Sequence, residues 1–143
     1  MHEIKEDLLW TGNAGDVREP RVLFEAGIGA VIDLAIEELP AQLPRQLVYC
    51  RFPLVDGGGN HPEILRLAVQ TTVVLIASGT RTLVACSAGL SRSPTIATFA
   101  LAAHLGQSPE DLLSKINETR SIELHGALWN DVSGIFADVR GRV

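Results

Sequence analysis

The sequence predicts a single α/β domain over residues 1–143, in which helices flank a central, mostly parallel sheet. Short apolar segments alternate along the chain with longer segments that carry helix start and stop signals, and this alternation is typical of a parallel sheet. The chain is 46% hydrophobic and 20% charged, which is a globular rather than a disordered composition. Its length is sufficient to bury one core.

The N-terminal half contains three predicted strands. The first covers Leu8–Trp10 and stops at a turn-rich stretch. A short helix over 19–26 follows it, because Gly27 suits a helix C-cap. Ala30–Leu34 is apolar enough for a buried strand, and Gln46–Phe52 is rich in the β-branched and aromatic residues that strands favour.

The C-terminal half is predicted to be mainly helical. A long helix over 61–78 opens with proline in its first turn, and a short apolar strand, Thr82–Ala85, comes next. The pattern then predicts a second long helix over 93–105. A helix over 109–120 opens with a serine N-cap, a proline and acidic side chains, and a last helix covers 126–139.

Charge and composition exclude several functions. The chain has 12 basic and 17 acidic residues, a net charge of −5, and its basic residues are scattered, so no nucleic-acid partner is expected. No apolar stretch is long enough to span a bilayer, and the N-terminus lacks the regions of a signal peptide, so no membrane partner is expected. Two cysteines do not form a disulfide framework, and the histidines have no metal-binding spacing. We therefore expect a cytoplasmic monomer with free thiols and no metal or cofactor.

The segment from Cys86 to Ser93, with the sequence CSAGLSRS, carries the strongest chemical signal in the chain. It follows a predicted strand, and ligands of open α/β sheets bind beyond the carboxyl ends of strands. Small side chains let successive backbone N–H groups converge on a tetrahedral oxyanion, and the next helix adds its positive N-terminal dipole. Arg92 supplies a planar cationic fork that can bridge two phosphate oxygens. The predicted phosphate-binding residues are Ser87, Ala88, Gly89, Leu90, Ser91 and Arg92.

The same segment makes Cys86 a candidate nucleophile. The helix dipole and Arg92 favour the thiolate, which is the nucleophilic form of cysteine. Ser93 can donate a hydrogen bond to the sulfur and so help it leave when a phosphocysteine intermediate breaks down. A cysteine after an apolar strand is otherwise a small core residue, and Cys50, which lacks such neighbours, is interpreted in that way. A redox pairing of Cys50 with Cys86 is the alternative.

This segment resembles the Cys-x5-Arg-Ser/Thr signature of the protein tyrosine phosphatase superfamily. Residues 88–93 are similar to the Ala-Gly-x-Ser-Arg-Ser run of its atypical dual-specificity branch. Residues 9–12 and 28–34 resemble the first strands of that family, and Arg120 falls where the family carries an arginine late in a helix. The resemblance implies a cysteine-dependent phosphatase. Its substrates would be phosphoproteins, on tyrosine or on serine and threonine, or small phosphoesters.

The resemblance also implies a general acid on a loop before the cysteine, and Asp56 fits this position. The glycines at 57–59 would let Asp56 swing toward a bound substrate, whereas a plain turn residue is the alternative interpretation. For Arg120, the alternative is a cap on the C-terminus of its own helix. Two positions depart from the family pattern. Ala85 stands where the family has histidine, and His125 replaces its usual asparagine near the C-terminus.

Two other functions are compatible with a cysteine in such a loop. An inactive module could bind phosphorylated partners through the same backbone, and Ala85 favours this possibility. Sulfurtransferases and arsenate reductases also use loop cysteines. Sulfurtransferase loops are typically one residue shorter, and the reductases carry their loop near the N-terminus. Because the loop here lies late in the chain and the candidate acid precedes it, the sequence favours a phosphatase.

Overall fold

The computed structural model describes residues 1–142, so Val143, the last residue of the predicted domain, lies outside the described residues. Within these residues five strands are present: β1 (His2–Lys5), β2 (Leu9–Gly12), β3 (Ala30–Ala35), β4 (Val48–Leu54) and β5 (Thr82–Ala85). The same part of the chain contains six helices: α1 (Ala14–Val17), α2 (Pro20–Glu25), α3 (Pro62–Ala77), α4 (Arg92–Leu105), α5 (Pro109–Thr119) and α6 (Gly126–Arg142).

The strands form one sheet in the order β1-β2-β5-β3-β4. Every neighbouring pair is parallel except β1 with β2, so the mostly parallel sheet is confirmed. Ala85 pairs with Gly12 on one side and with Asp33 on the other. The carboxyl ends of β2, β5 and β3 therefore meet at one edge of the sheet, and Cys86 follows directly from the middle strand of the three.

The elements on either side of the cysteine segment lie in the centre of the molecule. Every residue of β5 is buried, and α4 is buried continuously from Arg92 to Ala102. The aromatic ring of Phe99 in α4 packs against Trp129 and Phe136 of α6, with ring centroids 4.5 and 5.2 Å away. The turn between β5 and α4 is therefore fixed at both ends by the core.

The structure differs from the sequence prediction mainly at the edges of the sheet. The sequence pattern does not predict β1, because its side chains are polar and mostly exposed and it pairs on one side only. The other edge strand, β4, runs on to Leu54, beyond the predicted end at Phe52. Proline has no backbone N–H to donate to a neighbouring strand, so Pro53 is typical of a strand end. An edge strand tolerates a proline because one of its sides has no neighbouring strand. Leu54 is fully buried, and its burial favours the extension.

The helix signals in the sequence correspond closely to the helices in the structure. The side chains of His61 and Ser108 accept backbone N–H groups at the starts of α3 and α5. Gly27 follows α2 with a φ of 73°, as a C-cap glycine requires. The prediction lacks α1, a single turn with a capping box, and α6 runs to Arg142 rather than to residue 139. Within the described residues, no helix combines the length and apolar character needed to cross a bilayer.

Candidate active site

The loop Cys86–Arg92, called the phosphate loop below, lies against the end of β2. The amide of Cys86 donates to the carbonyl of Gly12 at 3.2 Å, and the amide of Ala14 donates to the carbonyl of Ser87 at 3.1 Å. Gly89 has a φ of 76°, and a Cβ there would lie 3.0 Å from the backbone of Gly12. Only glycine combines this left-handed backbone with so close an approach.

The sulfur of Cys86 is buried among donors of the loop and of α4. Cys86 is 3% exposed, and the backbone amide of Ser93 donates to its Sγ at 3.4 Å. The Ser93 hydroxyl oxygen lies 3.3 Å from Sγ and 3.4 Å from the carbonyl of Gly12. In the thiol form the S–H donates to this hydroxyl. In the thiolate form the hydroxyl can rotate and donate to the sulfur, so the predicted role of Ser93 is geometrically accessible.

The guanidinium of Arg92 is held at the same place by a carboxylate. Nη1 and Nη2 donate to the two oxygens of Glu37 at 2.6 and 2.7 Å, and Nη1 also donates to the carbonyl of Leu54 at 2.8 Å. The contact to Arg92 lowers the pKa of Glu37 to about 2. This pairing uses the outer end of the guanidinium. The Nε–H edge has no hydrogen-bond acceptor among the described residues.

A second carboxylate, on Glu38, holds the opposite end of the phosphate loop. It accepts from the Ser87 hydroxyl at 3.0 Å and from the Arg18 guanidinium at 2.8 Å. Sequence reasoning missed both Glu37 and Glu38. The available signal was their position directly after the buried strand β3, at the sheet edge where Cys86 lies.

Asp56 contacts the phosphate loop rather than solvent alone. One carboxylate oxygen accepts from the Ser91 hydroxyl at 2.6 Å, and the oxygen of that hydroxyl accepts from the amide of His125 at 3.0 Å. Gly57 lies beside the His125 imidazole, since a Cβ at this glycine would be 3.5 Å from Nε2. Ser91 therefore links the loop of the candidate acid to the segment before α6, which includes the residue that replaces the family asparagine.

Six of the predicted site residues line one small cavity of about 130 Å³, whereas Ser87, Gly89 and Ser93 do not. It is lined by Asp56, Cys86, Ala88, Leu90, Ser91, Arg92 and Glu123. The predicted nucleophile, arginine and acid are thus brought together, and Glu123 adds an acidic rim that the sequence did not indicate. Among residues 1–142, no group of three or more His, Cys, Asp or Glu side chains could hold a metal ion.

Cys50 does not lie close enough to Cys86 for a disulfide. Ile32 pairs with Cys50 on one side and with Val84 on the other, so two strand spacings separate β4 from β5. At about 4.8 Å per spacing the backbones are roughly 10 Å apart, and a disulfide needs Cα atoms within about 7 Å. Both thiols are free. Cys50 packs against the core, which favours its interpretation as a core residue over the redox alternative.

Ala85 and Arg120 complete the surroundings of the loop. Ala85 is fully buried and packs in an apolar cluster with Trp10 and Leu83, so a methyl group occupies the position of the family histidine. Arg120 donates to the carbonyl of Gly89 at 3.0 Å. Arg120 is the C-cap residue of α5, as the alternative interpretation has it, but its guanidinium contacts the phosphate loop.

No protein-family model and no curated protein matches the chain. Solved structures match it in fold. Human DUSP28 has a TM-score of 0.85 at 19% identity, with 100% of both chains covered. The human tyrosine phosphatase-like serine/threonine/tyrosine-interacting protein has a TM-score of 0.81 at 20% identity, with 96% of both chains covered. PTPMT1, solved in complex with PI(5)P, has a TM-score of 0.74 at 19% identity, covering 99% of this chain and 97% of its own. The expected fold is therefore confirmed: the chain has the dual-specificity phosphatase fold.

Proposed function

We propose that this chain, which has the fold of the dual-specificity phosphatases, is a phosphomonoester hydrolase that acts through a phosphocysteine intermediate. One observation carries the proposal. Cys86, Arg92 and Asp56 line one cavity of about 130 Å³ at the start of α4. A nucleophile, an anion-binding fork and a proton donor around one small cavity are the groups that phosphoester cleavage needs.

In the first step, the substrate phosphate binds the loop amides and the free Nε edge of Arg92. The Cys86 thiolate attacks phosphorus, so that an S–P bond forms while the P–O bond to the leaving group breaks. Asp56, in its protonated form, gives its proton to the leaving oxygen. A well-placed general acid contributes about 10²–10⁴-fold in rate.

In the second step, water attacks the phosphocysteine. Asp56, now a carboxylate, accepts a proton from the water as the new P–O bond forms. The S–P bond breaks, and the electron pair returns to sulfur. The hydroxyl and amide of Ser93 stabilise the departing thiolate, because both lie within 3.4 Å of Sγ.

The substrate that fits best is a singly phosphorylated protein, on tyrosine or on serine and threonine. Arg92 is the one basic residue that lines the cavity in the described part of the chain, while Glu123 and Asp56 are acidic. A polyphosphorylated head group would bring further negative charge to this rim. Although PTPMT1 was solved with PI(5)P, the present rim favours a phosphoprotein or a small phosphoester. We propose that the protein acts in the cytoplasm as a monomer.

The alternative is a phosphate-binding module without turnover. Ala85 supports it, since a histidine that would help to orient the thiol is absent. The intact Cys86, Arg92 and Asp56 support the enzyme. A single assay separates the two functions, because an enzyme and a binding module would both bind phosphate but only the enzyme would release product.

The test is hydrolysis of p-nitrophenyl phosphate and of a phosphotyrosine peptide by the native chain, Cys86→Ser and Asp56→Asn. We expect Cys86→Ser to abolish turnover while phosphate binding persists, because serine has no accessible anion at neutral pH. The turnover rate of Asp56→Asn should fall about 10²–10⁴-fold on the phosphotyrosine peptide. It should fall less on p-nitrophenyl phosphate, because p-nitrophenolate needs little protonation to leave. Thiosulfate serves as a control for sulfurtransferase activity. Native protein that binds phosphate but turns over neither ester would establish the binding module.

A further inference from the structure

The two carboxylates that hold the phosphate loop, on Glu37 and Glu38, belong to an irregular segment, residues 36–41, called the acidic turn below. This segment follows β3 and forms neither helix nor strand. Its two large apolar side chains do not fix it in place, because Ile36 is 51% exposed and Leu39 is 81% exposed. The positions of the two carboxylates therefore depend largely on polar contacts to the rest of the molecule.

Arg51 of β4 makes two of these contacts. Its Nη2 donates to the carbonyl of Ala35 at 3.0 Å and to the carbonyl of Glu38. The amide of Glu38 also donates to the carbonyl of Ala35, at 3.3 Å, so the chain closes into a turn around Ile36 and Glu37. One guanidinium nitrogen thus ties the end of β3 to the residue that follows Glu37.

Arg51 is itself held by two side chains of the same strand pair. Asp33 pairs with Arg51 across β3 and β4, and Tyr49 lies two residues before Arg51 on the same face of the sheet. The Asp33 carboxylate is buried, lies 3.7 Å from Nη1 of Arg51 and accepts from the Tyr49 hydroxyl at 2.5 Å. The oxygen of that hydroxyl accepts from the amide of Ala41 at 2.9 Å. Asp33, Tyr49 and Arg51, called the β3–β4 brace below, therefore hold the acidic turn near both of its ends.

The brace does not reach the candidate substrate site directly. None of its side chains lines the cavity that contains Cys86. It acts on that site through the acidic turn, since Glu37 contacts the Arg92 guanidinium with both carboxylate oxygens. Two parallel N–H···O bonds require the carboxylate and the guanidinium to lie in one plane. A shift of the turn would therefore rotate or release the guanidinium of Arg92.

We infer that Arg51 is a positioning residue, which holds the acidic turn so that Glu37 fixes the plane of the Arg92 guanidinium. The other two side chains of the brace balance the charge of Arg51 and fix its orientation. The inference rests on the proposed function, in which Arg92 binds the phosphate. It makes phosphate affinity depend on an arginine that does not contact phosphate.

The experiment measures inorganic phosphate affinity by isothermal titration, kcat/KM for p-nitrophenyl phosphate, and the free energy of unfolding. Arg51→Met removes the guanidinium, and Asp33→Asn/Arg51→Met does so without leaving a buried carboxylate unpaired. The double variant guards against a folding defect in the single one. We expect phosphate affinity and kcat/KM to fall roughly tenfold in both variants, because a displaced guanidinium no longer matches the phosphate oxygens.

Arg66→Met is the matched control. Arg66 pairs with Glu63 and Asp138, and like Arg51 it has one buried nitrogen without a hydrogen-bond partner among the described residues. Its replacement should lower stability but leave phosphate affinity and turnover at native values, because both partners lie outside the acidic turn. Arg51 variants that lose stability in the same way, but bind phosphate as tightly as the native chain, would show a merely structural role and overturn the inference.

A second measurement tests the route through the acidic turn. In a Glu37→Gln/Glu38→Gln background the turn has no carboxylates to place, so Arg51→Met should lower phosphate affinity by less than about twofold. The full loss in this background would mean that Arg51 acts by another route, and would also overturn the inference.

The outcomes distinguish this inference from the proposed function. A native chain that binds phosphate but hydrolyses no ester would refute the enzyme, and a loss of phosphate affinity in the folded Arg51 variants would still support the positioning role. A native chain that binds no phosphate would overturn both.

Discussion

At the scale of single residues, the arginine that is predicted to bind phosphate already has a carboxylate partner. Glu37 contacts the outer end of the Arg92 guanidinium through both oxygens. This fixes the plane of the fork before substrate arrives, and a fixed fork loses less conformational freedom on binding. The same contact explains why Arg92 is stable at 4% exposure, since a buried charge without a partner is costly.

Replacing Glu37 tests this arrangement through pH. The pKa of Glu37 is lowered from 4.5 to about 2, so its ion pair contributes full stability above about pH 4.5 and loses that contribution as the pH falls toward 2. We expect the urea concentration at the unfolding midpoint to fall across this pH window, and to fall more steeply for the native chain than for Glu37→Gln. The variant should also lose roughly tenfold to a hundredfold in kcat/KM, because Arg92 is no longer oriented.

Glu25→Gln is the control for this prediction. Glu25 pairs with Arg21 on an exposed face, where ion pairs contribute little. The unfolding midpoints of the native chain and of Glu37→Gln could instead fall in parallel between pH 4.5 and 2. Protonation of Glu37 would then not be the cause of the loss of stability.

At the scale of elements, α4 begins without the usual side-chain cap. Ser91 is its N-cap residue, but the Ser91 hydroxyl donates to Asp56 instead of accepting an amide of the first turn. An N-cap side chain normally satisfies one of the free amides at a helix start. Here the amide of the second helical residue, Ser93, donates to the Cys86 sulfur instead, and the third residue, Pro94, has no N–H to cap. The Ser91 hydroxyl is therefore available to hold the candidate acid at the mouth of the site.

Gly89→Ala tests whether the loop shape is essential. The added Cβ would lie 3.0 Å from the backbone of Gly12, at a φ of 76°. We expect a loss of about 1–3 kcal/mol in unfolding free energy from the strained backbone. Phosphate affinity and turnover should fall on the order of a hundredfold, since the converging amides are displaced. Denaturant unfolding and isothermal titration with phosphate measure the two effects.

Gly106→Ala is the matched control for the loop. Gly106 has a φ of 67° at the end of α4, with nothing within 4 Å of a Cβ. It should lose stability through the backbone alone and keep native turnover. Equal turnover in Gly89→Ala and the native chain would show that close contact between the loop and β2 is not required.

At the scale of the whole molecule, the site depends on a core that lies well away from it. Phe99 is fully buried and packs against Trp129 and Phe136, so it holds α4 against α6. We expect Phe99→Ala to lower the unfolding free energy by about 3–5 kcal/mol, as for other buried aromatic side chains. Urea titration followed by tryptophan fluorescence would measure it.

Phe24→Ala provides the comparison. Phe24 is 49% exposed, so its removal should change stability by no more than about 0.5 kcal/mol. Phosphoesterase activity per folded molecule should be retained in both variants, because neither residue lines the site. A Phe99→Ala protein as stable as Phe24→Ala would contradict the view that α4 is fixed by this cluster.

The sequence by itself determined the features that depend on neighbours along the chain. Cys86, Arg92 and Ser93 belong to one strand–turn–helix segment, so their spacing alone predicts that sulfur, guanidinium and hydroxyl converge. Helix starts such as His61 and Ser108 were predictable for the same reason, since a cap is formed within one turn. The alternation of short apolar segments with helical segments predicted the mostly parallel sheet, because parallel strands are joined by helical crossovers.

Only the tertiary structure decided which distant residues complete the site. Glu37 and Glu38 reach the phosphate loop because β3 lies beside β5, and no local pattern encodes that order. Arg120 reaches it from the end of α5. The extension of β4 through Pro53 to Leu54 also depends on the strand order, because an edge strand tolerates a proline. Propensities and caps act over a few residues, whereas strand order and buried charge pairing are settled by the packing of the whole chain. The candidate nucleophile and its neighbours Arg92 and Ser93 could therefore be predicted from the sequence, but the carboxylates of Glu37 and Glu38 that hold the loop could not.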